Sequence, residues 1–479
     1  MIVGADIGTQ SLKAVVLAPD MSLRGSHAVQ YQPHFPHAGW AEQDPLLWER
    51  ALGPAIAGAL KEAGLAASQV TALGLAGQLD GVVAIDRAGR PLHPCIIWMD
   101  RRAEKEIEGI DPQVIRDKAG LVLDASHPAA KIAWLKVQGI HGYKYHAPVS
   151  YLVSRLTGAH VIDHATASTS MVYAIEARGY DDALLNLFGI AREELTEVRE
   201  ADEVAGRLSA EGSALTGLPA GLPVSVGTGD DFSSSLGAGL TQPGRFIAII
   251  GTAEVTGALH LSPVIDTQGL VETHAYPGGQ YFIENPGWLS GGALTWFRDT
   301  FGLKDFDALT EAASTVAPGA EGVTFIPALS GAMAPEWIAP ARGCFYGMTP
   351  SHGMAHLARA LLEGLAFAMR DVFERVTAMG LEANELVITG GGAKSALWRQ
   401  IRADLCGCVA TMPVHADTSP IGAALLAARA SGVIGDLHEA ASIANATHEA
   451  IEPVVAHREA YENAYRRYRL IFESLQPMY

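Results

Sequence analysis

Cysteine is scarce: the 479 residues hold four, Cys95, Cys344, Cys406 and Cys408. Their spacing fits neither a zinc site nor a disulfide framework, and Cys406-Gly407-Cys408 reads as a small-residue strand entry rather than a thiol pair. A reduced, cytoplasmic protein is therefore expected. Basic residues are also few, with 34 Lys and Arg against 52 Asp and Glu and a formal net charge of −18 at pH 7. That balance argues against general binding to nucleic acid or to an anionic membrane. It leaves a phosphate ligand open, because turns and a metal hold phosphate without basic side chains. No apolar run is long enough to cross a bilayer, and Ala-rich stretches such as Ile421 to Ala430 read as buried helix. Met1 to Asp6 has no basic region and soon reaches a carboxylate, unlike a signal peptide. Nearly half of the residues, 49%, are apolar, so a sizeable core can form.

The organising stretch lies near the middle, from Leu222 to Leu259. It reads as strand Pro223–Val226, a turn at Gly227-Thr228-Gly229, the carboxylates Asp230 and Asp231, and a helix from Phe232 to Gly239. A second buried strand, Phe246 to Ile250, runs into Gly251-Thr252-Ala253 and a further strand to Leu259. The beginning has the same plan: Ile2 to Ala5, a turn through Asp6-Ile7-Gly8-Thr9-Gln10-Ser11, then Leu12 to Leu17. Leu386 to Thr389 enters Gly390-Gly391-Gly392 and a helix, Lys394 to Leu405, just as Val224 enters the helix after Asp231. The repetition predicts an α/β chain of two similar domains facing a central cleft. The join falls near the Gly- and Pro-punctuated stretch 237–243, giving domains 1–238 and 239–479. A helix is expected from Pro45 to Leu65, and another with Tyr461, Tyr465, Tyr468, Ile471 and Phe472 on one face. Strand Val82 to Asp86 is expected to pair back on Val70 to Ala76. The region Ala103 to Ala220 reads as mostly helical, with Thr166 to Ser170 a loop.

Each candidate site has an ordinary reading beside it. The turn Thr9-Gln10-Ser11 offers N–H groups and hydroxyls that can wrap a terminal phosphate while Asp6 holds Mg²⁺ through water. An ordinary hairpin explains it as well. Gly251-Thr252 is the same device in the second half, and two such turns at corresponding places point to nucleotide phosphates. Gly390-Gly391-Gly392-Ala393-Lys394-Ser395 fails the spacing of a P-loop. It can lay a flat ring on bare backbone, or serve close helix–strand packing. Asp230 is the candidate general base, with Asp231 the helix N-cap. Gln78 and Asp80, flanked by Gly77 and Gly81, can hydrogen-bond a polyol or simply make a turn. Asp100 and Arg102 read as a structural ion pair. The histidines show no metal-ligand spacing.

Taken in order, these motifs resemble the FGGY family of carbohydrate kinases, most of all its xylulose kinases. The likeness is carried by Asp6 to Lys13, Trp40 to Pro45, Gly77 to Gly81, Trp98 to Arg102, Gly229-Asp230-Asp231, Gly343 to Met348, His356 to Glu363, Gly390 to Ser395 and Ser419 to Ala424. The resemblance implies two actin-like (ribonuclease H-like) domains closing on ATP, Mg²⁺ and a small sugar. Asp230 and Asp6 would be catalytic, with Asp6 also the metal residue. Gln78, Leu79, Asp80 and Asp231 would bind the acceptor. Thr9, Gln10, Ser11, Gly251, Thr252, Gly391, Gly392 and Ala393 would bind the nucleotide. The expected reaction carries the γ-phosphate of ATP to D-xylulose, giving D-xylulose 5-phosphate and ADP. Two departures bear on the acceptor. Leu79-Asp80 stands where xylulose kinases typically have Met-His, and Asp231 where they tend to have Asn. A donor has become an acceptor and a neutral amide a charge, which brings in another ketose or a polyol such as a tetritol. An actin-like ATPase acting through partner binding is the reading from another class. No nucleic-acid or membrane partner is expected, and a homodimer is the assembly the expectation includes.

Overall fold

The computed structural model describes residues 1–479, with the side chains of all but Thr447 and His448. Two sheets of seven strands share one plan. In the first, β1 (Ile2–Ile7), β2 (Ser11–Leu17) and β3 (Leu23–Gln30) form an antiparallel meander. β4 (Ala72–Gly77) pairs parallel with β1. β5 (Val204–Arg207) and β6 (Pro223–Ser225) are antiparallel at the far edge, and β6 and the short β7 (Thr228–Gly229) run parallel beside β4. In the second, β8 (Gly244–Ile250), β9 (Ala253–His260) and β11 (Gln280–Leu289) repeat the meander, and β10 (Glu272–Tyr276) extends it at the edge. β12 (Ala383–Thr389) lies parallel to β8, β13 (Val409–Pro413) parallel to β12, and β14 (Thr447–Ile451) closes the other edge. Among the described residues, no helix is long and apolar enough to cross a membrane.

Local rules account for the elements. Helix α1 (Pro45–Ala63) starts where Asp44 caps the Leu46 N–H and Pro45 needs no donor; it stops at Gly64, whose φ of 66° an L side chain resists. Trp48, Leu52, Ile56 and Leu60, one helical turn apart, form its buried stripe. The last helix, Arg458–Leu475, buries Tyr461, Tyr465, Tyr468, Ile471 and Phe472 as the spacing predicts.

The two halves exchange helices. Helix α2 (Asp230–Gly237) leaves the first sheet, yet its Phe232 ring meets His274, Tyr276 and Phe282 of the second. Helix α3 (Ser419–Ala430) leaves the second sheet and lies on the first. A Cβ on Gly4 would strike the Pro420 carbonyl, and one on Gly74 the Ala423 carbonyl. The helices cross each other as closely: a Cβ on Gly237 meets the Thr418 carbonyl, and one on Gly422 the Ser233 carbonyl. Burying Ile421, Leu425 and Leu426 in this seam stabilises it by about 1.5–3 kcal/mol per side chain.

Three expectations need correction. Strand Val83–Ile85 pairs with Lys144–His146, because β4 already has β1 on one side and β6 and β7 on the other. Residues 103–220 interleave short helices with short strands rather than being mostly helical. Residues His164–Ser168 are a helix, since Asp163 caps the N–H groups of Ala165 and Thr166.

Candidate active site

Parallel pairing sets the site. Asp6 on β1 stands opposite Ala76 on β4, which stands opposite Thr228 on β7. Three strand ends therefore finish in one row, and Gln78 and Asp230 follow at once. Ligands of open α/β sheets collect beyond such strand ends.

The first hairpin is braced from behind. The Gly8 carbonyl accepts from the Tyr31 hydroxyl at 2.7 Å, the Thr9 carbonyl from the Gln43 amide at 2.6 Å, and the Gln10 carbonyl from the Tyr31 N–H at 3.0 Å. Trp98 Nε1 donates to the Thr9 hydroxyl at 3.0 Å. With its acceptors tied back, the hairpin keeps its N–H groups as outward donors. Among the described residues no protein acceptor takes those of Thr9 and Gln10. Ser11 closes the turn by accepting from the Gly8 N–H at 3.0 Å.

The second hairpin repeats the arrangement. Gly251 N–H reaches the Ala253 carbonyl at 2.9 Å, and the Gly251 and Thr252 carbonyls accept from the N–H groups of Ser290, Gly291 and Gly292. Gly251 and Thr252 are exposed. Both turns thus have their carbonyls tied back, the form that suits a cradle of backbone donors. Close by, the turn at Gly390 (φ 83°) packs on Ile250, and Gly392 sits against Ile250 and Trp398. Only Gly391 leaves open space. Ala393 turns its methyl into the core, so only its backbone remains for a ligand.

Asp230 and Asp231 open helix α2, and Gly229, not Asp231, is the N-cap, which corrects the capping role expected of Asp231. Burial, then Asp231, then Asp6 push the Asp230 carboxyl well above the usual range. Asp231 rises to about 7 through burial and the charges of Asp80 and Asp6. Asp6 rises to about 6 by burial, against the opposing pull of Lys13. Carboxylates so placed repel one another until a cation or a proton intervenes.

The Asp80 carboxylate acts on Asp231 in this cluster, whereas Leu79 turns inward against Gly229 and is buried. Its side chain packs on the core side of the turn, between two polar neighbours. A chain of amides fixes Gln78. Because Gln43 gives its NH₂ to Thr9, its oxygen must accept, and Gln78 donates to it at 2.6 Å. The Gln78 oxygen is left without a partner. Asp80 sits at φ 55°, where Lys131 Nζ holds its carbonyl at 2.7 Å and the Ile97 carbonyl at 2.9 Å. Against the upward push of burial, His127 and Lys131 keep the Asp80 carboxyl below its ordinary range. Tyr31, Gln43, His127 and Lys131 escaped the sequence reading. A lone lysine among Ala129, Ala130, Ile132 and Leu135 was the one signal available. Asp100 and Arg102 form the structural pair expected, with Glu42 as a further partner and Trp40 stacked 3.8 Å from the guanidinium.

Two actin-like domains with matched hairpins and a carboxylate row at their strand ends have the two-domain fold of the FGGY kinases. The family model of the FGGY carbohydrate kinase N-terminal domain matches residues 1–237, and that of the C-terminal domain residues 247–431. The chain belongs to the FGGY family of carbohydrate kinases and is an ATP-dependent sugar kinase of that family. A glycerol kinase of Thermococcus onnurineus is 33% identical over 457 residues, covering 92% of this chain and 91% of its own. Among solved structures, a xyloylose kinase from Brucella ovis superposes with a TM-score of 0.92 at 28% identity, covering 100% of both chains. The xylulose kinase of Rhodospirillum rubrum gives 0.91 at 26%, covering 100% of this chain and 99% of its own.

Proposed function

We propose that the chain transfers the γ-phosphate of ATP to a hydroxyl of a small acyclic polyol, with Asp230 as proton acceptor. The observation that carries this reading is the polarity of the acceptor pocket. Gln78 Oε1 and Asp80 Oδ1 are buried without hydrogen-bond partners, and Asp231 lies close enough to Asp80 to feel its charge. Hydroxyls satisfy such acceptors, while a ketone oxygen adds one more. The similar chains named glycerol kinase agree with a polyol.

In this reading Thr9, Gln10, Ser11, Gly251 and Thr252 cradle the phosphates, and Gly391, Gly392 and the Ala393 backbone carry the nucleoside. Asp6 is the metal residue: its Oδ1 is buried and unpartnered, which suits the water shell of Mg²⁺. Bound there, Mg²⁺ supplies charge to neutralise the phosphate oxygens. Gln78, Asp80 and Asp231 orient the acceptor so that one hydroxyl lies in line with the phosphorus and within reach of Asp230. An aspartate at its reference pKa of about 3.9 is a weak match to an alcohol. The upward push on Asp230 improves that match.

A ketopentose, D-xylulose, is the second reading, since the His127 imidazole offers a ring N–H to a carbonyl oxygen. ADP release measured with glycerol, tetritols, pentitols, D-xylulose and no acceptor tests both. Turnover confined to ketoses overturns the polyol assignment. Strong turnover that ignores every acceptor favours an actin-like ATPase instead.

A further inference from the structure

The proposed acceptor pocket has a wall from the other half of the molecule. Strand β10, at the edge of the second sheet, is stitched to the first half by bonds distant in sequence. Thr273 N–H donates to the Gly120 carbonyl at 2.8 Å, and Ala275 N–H to Ser168 Oγ at 3.1 Å. Glu272 accepts the Val122 N–H at 2.8 Å. This places Glu272 Oε1 3.3 Å from His127 Nε2, while His127 Nδ1 lies 3.7 Å from Asp80 Oδ1. The His127 side chain is 4% exposed and that of Glu272 1%, so no solvent shell separates them.

The row continues. His274 Nε2 lies 3.3 Å from Glu284 and 3.7 Å from Glu272. Glu272 and Glu284 are direct partners across the β10–β11 pair. Burial first, then the neighbouring carboxylates, Glu272 among them, push the Glu284 carboxyl well above its usual range, so the pair avoids facing like charges by holding a proton. Burial opposes charge on His127, but Glu272 and Asp80 push its pKa well above the usual value. The protonated imidazole thus turns one ring nitrogen toward each carboxylate. Both ring nitrogens and Asp80 Oδ1 still lack a well-aligned hydrogen bond, so the row has slack for a ligand hydroxyl to take up.

We infer that His127 and Glu272 are positioning residues for the acceptor: Glu272, supplied by the nucleotide half, holds His127, and His127 aims the Asp80 carboxylate at the acceptor's hydroxyls. This rests on the polyol-kinase reading of the Asp80 turn. Acceptor affinity then depends on a residue of the opposite domain that touches neither substrate.

The test uses the full-length chain, Glu272→Gln and His127→Gln, each scored separately. The readouts are KM for the preferred acceptor, KM for ATP, kcat, and the Kd of a non-hydrolysable ATP analogue without acceptor. Loss of the buried Glu272–His127 ion pair predicts an acceptor KM raised about tenfold or more, with analogue Kd within about twofold of the parent. Glu272→Gln keeps an acceptor oxygen for Val122 and should lose less than Glu272→Ala. A lowered melting temperature with both KM values unchanged, or equal rises in both, overturns the inference. So does a variant pair that cannot fold while His274→Gln, in the same row, folds and shows no acceptor effect. A parent that phosphorylates no acceptor refutes the polyol-kinase reading itself and is a distinct result.

Discussion

Replacing Asp230 with Asn removes a proton acceptor and a charge while keeping the shape, and the two losses have opposite signs. The carboxamide cannot take the acceptor's proton, so turnover should fall about 10²–10⁴-fold. That is about 3–5 kcal/mol of barrier. The loss should stop there. The hairpins at Thr9 and Thr252 keep their bracing by Tyr31, Gln43 and the Ser290–Gly292 turn, and positioning dominates a loose phosphoryl transfer. Stability should move the other way. Asp230 faces the like charges of Asp231 and Asp6, so its removal relieves repulsion. The sign with pH follows. Carboxyls whose folded pKa lies above the unfolded value of about 3.9 bind more protons when folded, so metal-free stability falls as pH rises between them. The upper edges of that window lie at about 6 for Asp6 and about 7 for Asp231. Asp230→Asn should flatten this decline, so its melting temperature should exceed the parent's by more at pH 8 than at pH 5. Coupled ADP release at saturating substrates and metal-free melting curves measure both. Turnover within tenfold of the parent removes Asp230 as the base. A variant less stable than the parent at pH 8 refutes the electrostatic account.

Three further outcomes are expected. Asp80→His supplies donors where the pocket offers acceptors, so the kcat/KM ratio of D-xylulose to the best polyol should rise about tenfold with ATP KM nearly unchanged; equal losses on all acceptors would count against a recognition role. Gln43→Leu cuts the link from the part-buried Thr9 carbonyl to the buried Gln78 amide and leaves both unpaired. KM should therefore rise about tenfold for acceptor and nucleotide alike, and a change in only one would break the proposed coupling. Arg402→Met leaves Glu254 buried and unpaired beside Ser290, at a cost of about 3–5 kcal/mol that adding Glu254→Leu should largely recover in denaturant midpoints.

Strand–turn–strand patterning placed both hairpins, and the Asp-Pro start and Gly stop placed α1. These are local signals, complete within a dozen residues. Partner choice was not local. Val83–Ile85 looked like a return strand because nothing in its own residues says that both edges of β4 are taken. The helix at His164–Ser168 depended on one capping carboxylate within a polar run that also suits a loop. Leu79 reads as a site residue by its neighbours, but an apolar side chain beside Gly229 gains more from the core than from a cleft.

By itself the sequence determined the groups on offer: two tight hairpins, a glycine-rich turn, and carboxylates timed to fall at strand ends. Only tertiary structure decided how those carboxylates act on each other, because charges on Asp6, Asp80, Asp230 and Asp231 interact through space and not along the chain. It likewise decided that Gly4 and Gly74 make room for a helix of the opposite half, and that Glu272 comes to face His127. The physical reason is the same throughout. Hydrogen-bond period and turn chemistry are properties of neighbours in sequence, whereas desolvation and Coulomb energy depend on what packs against a group.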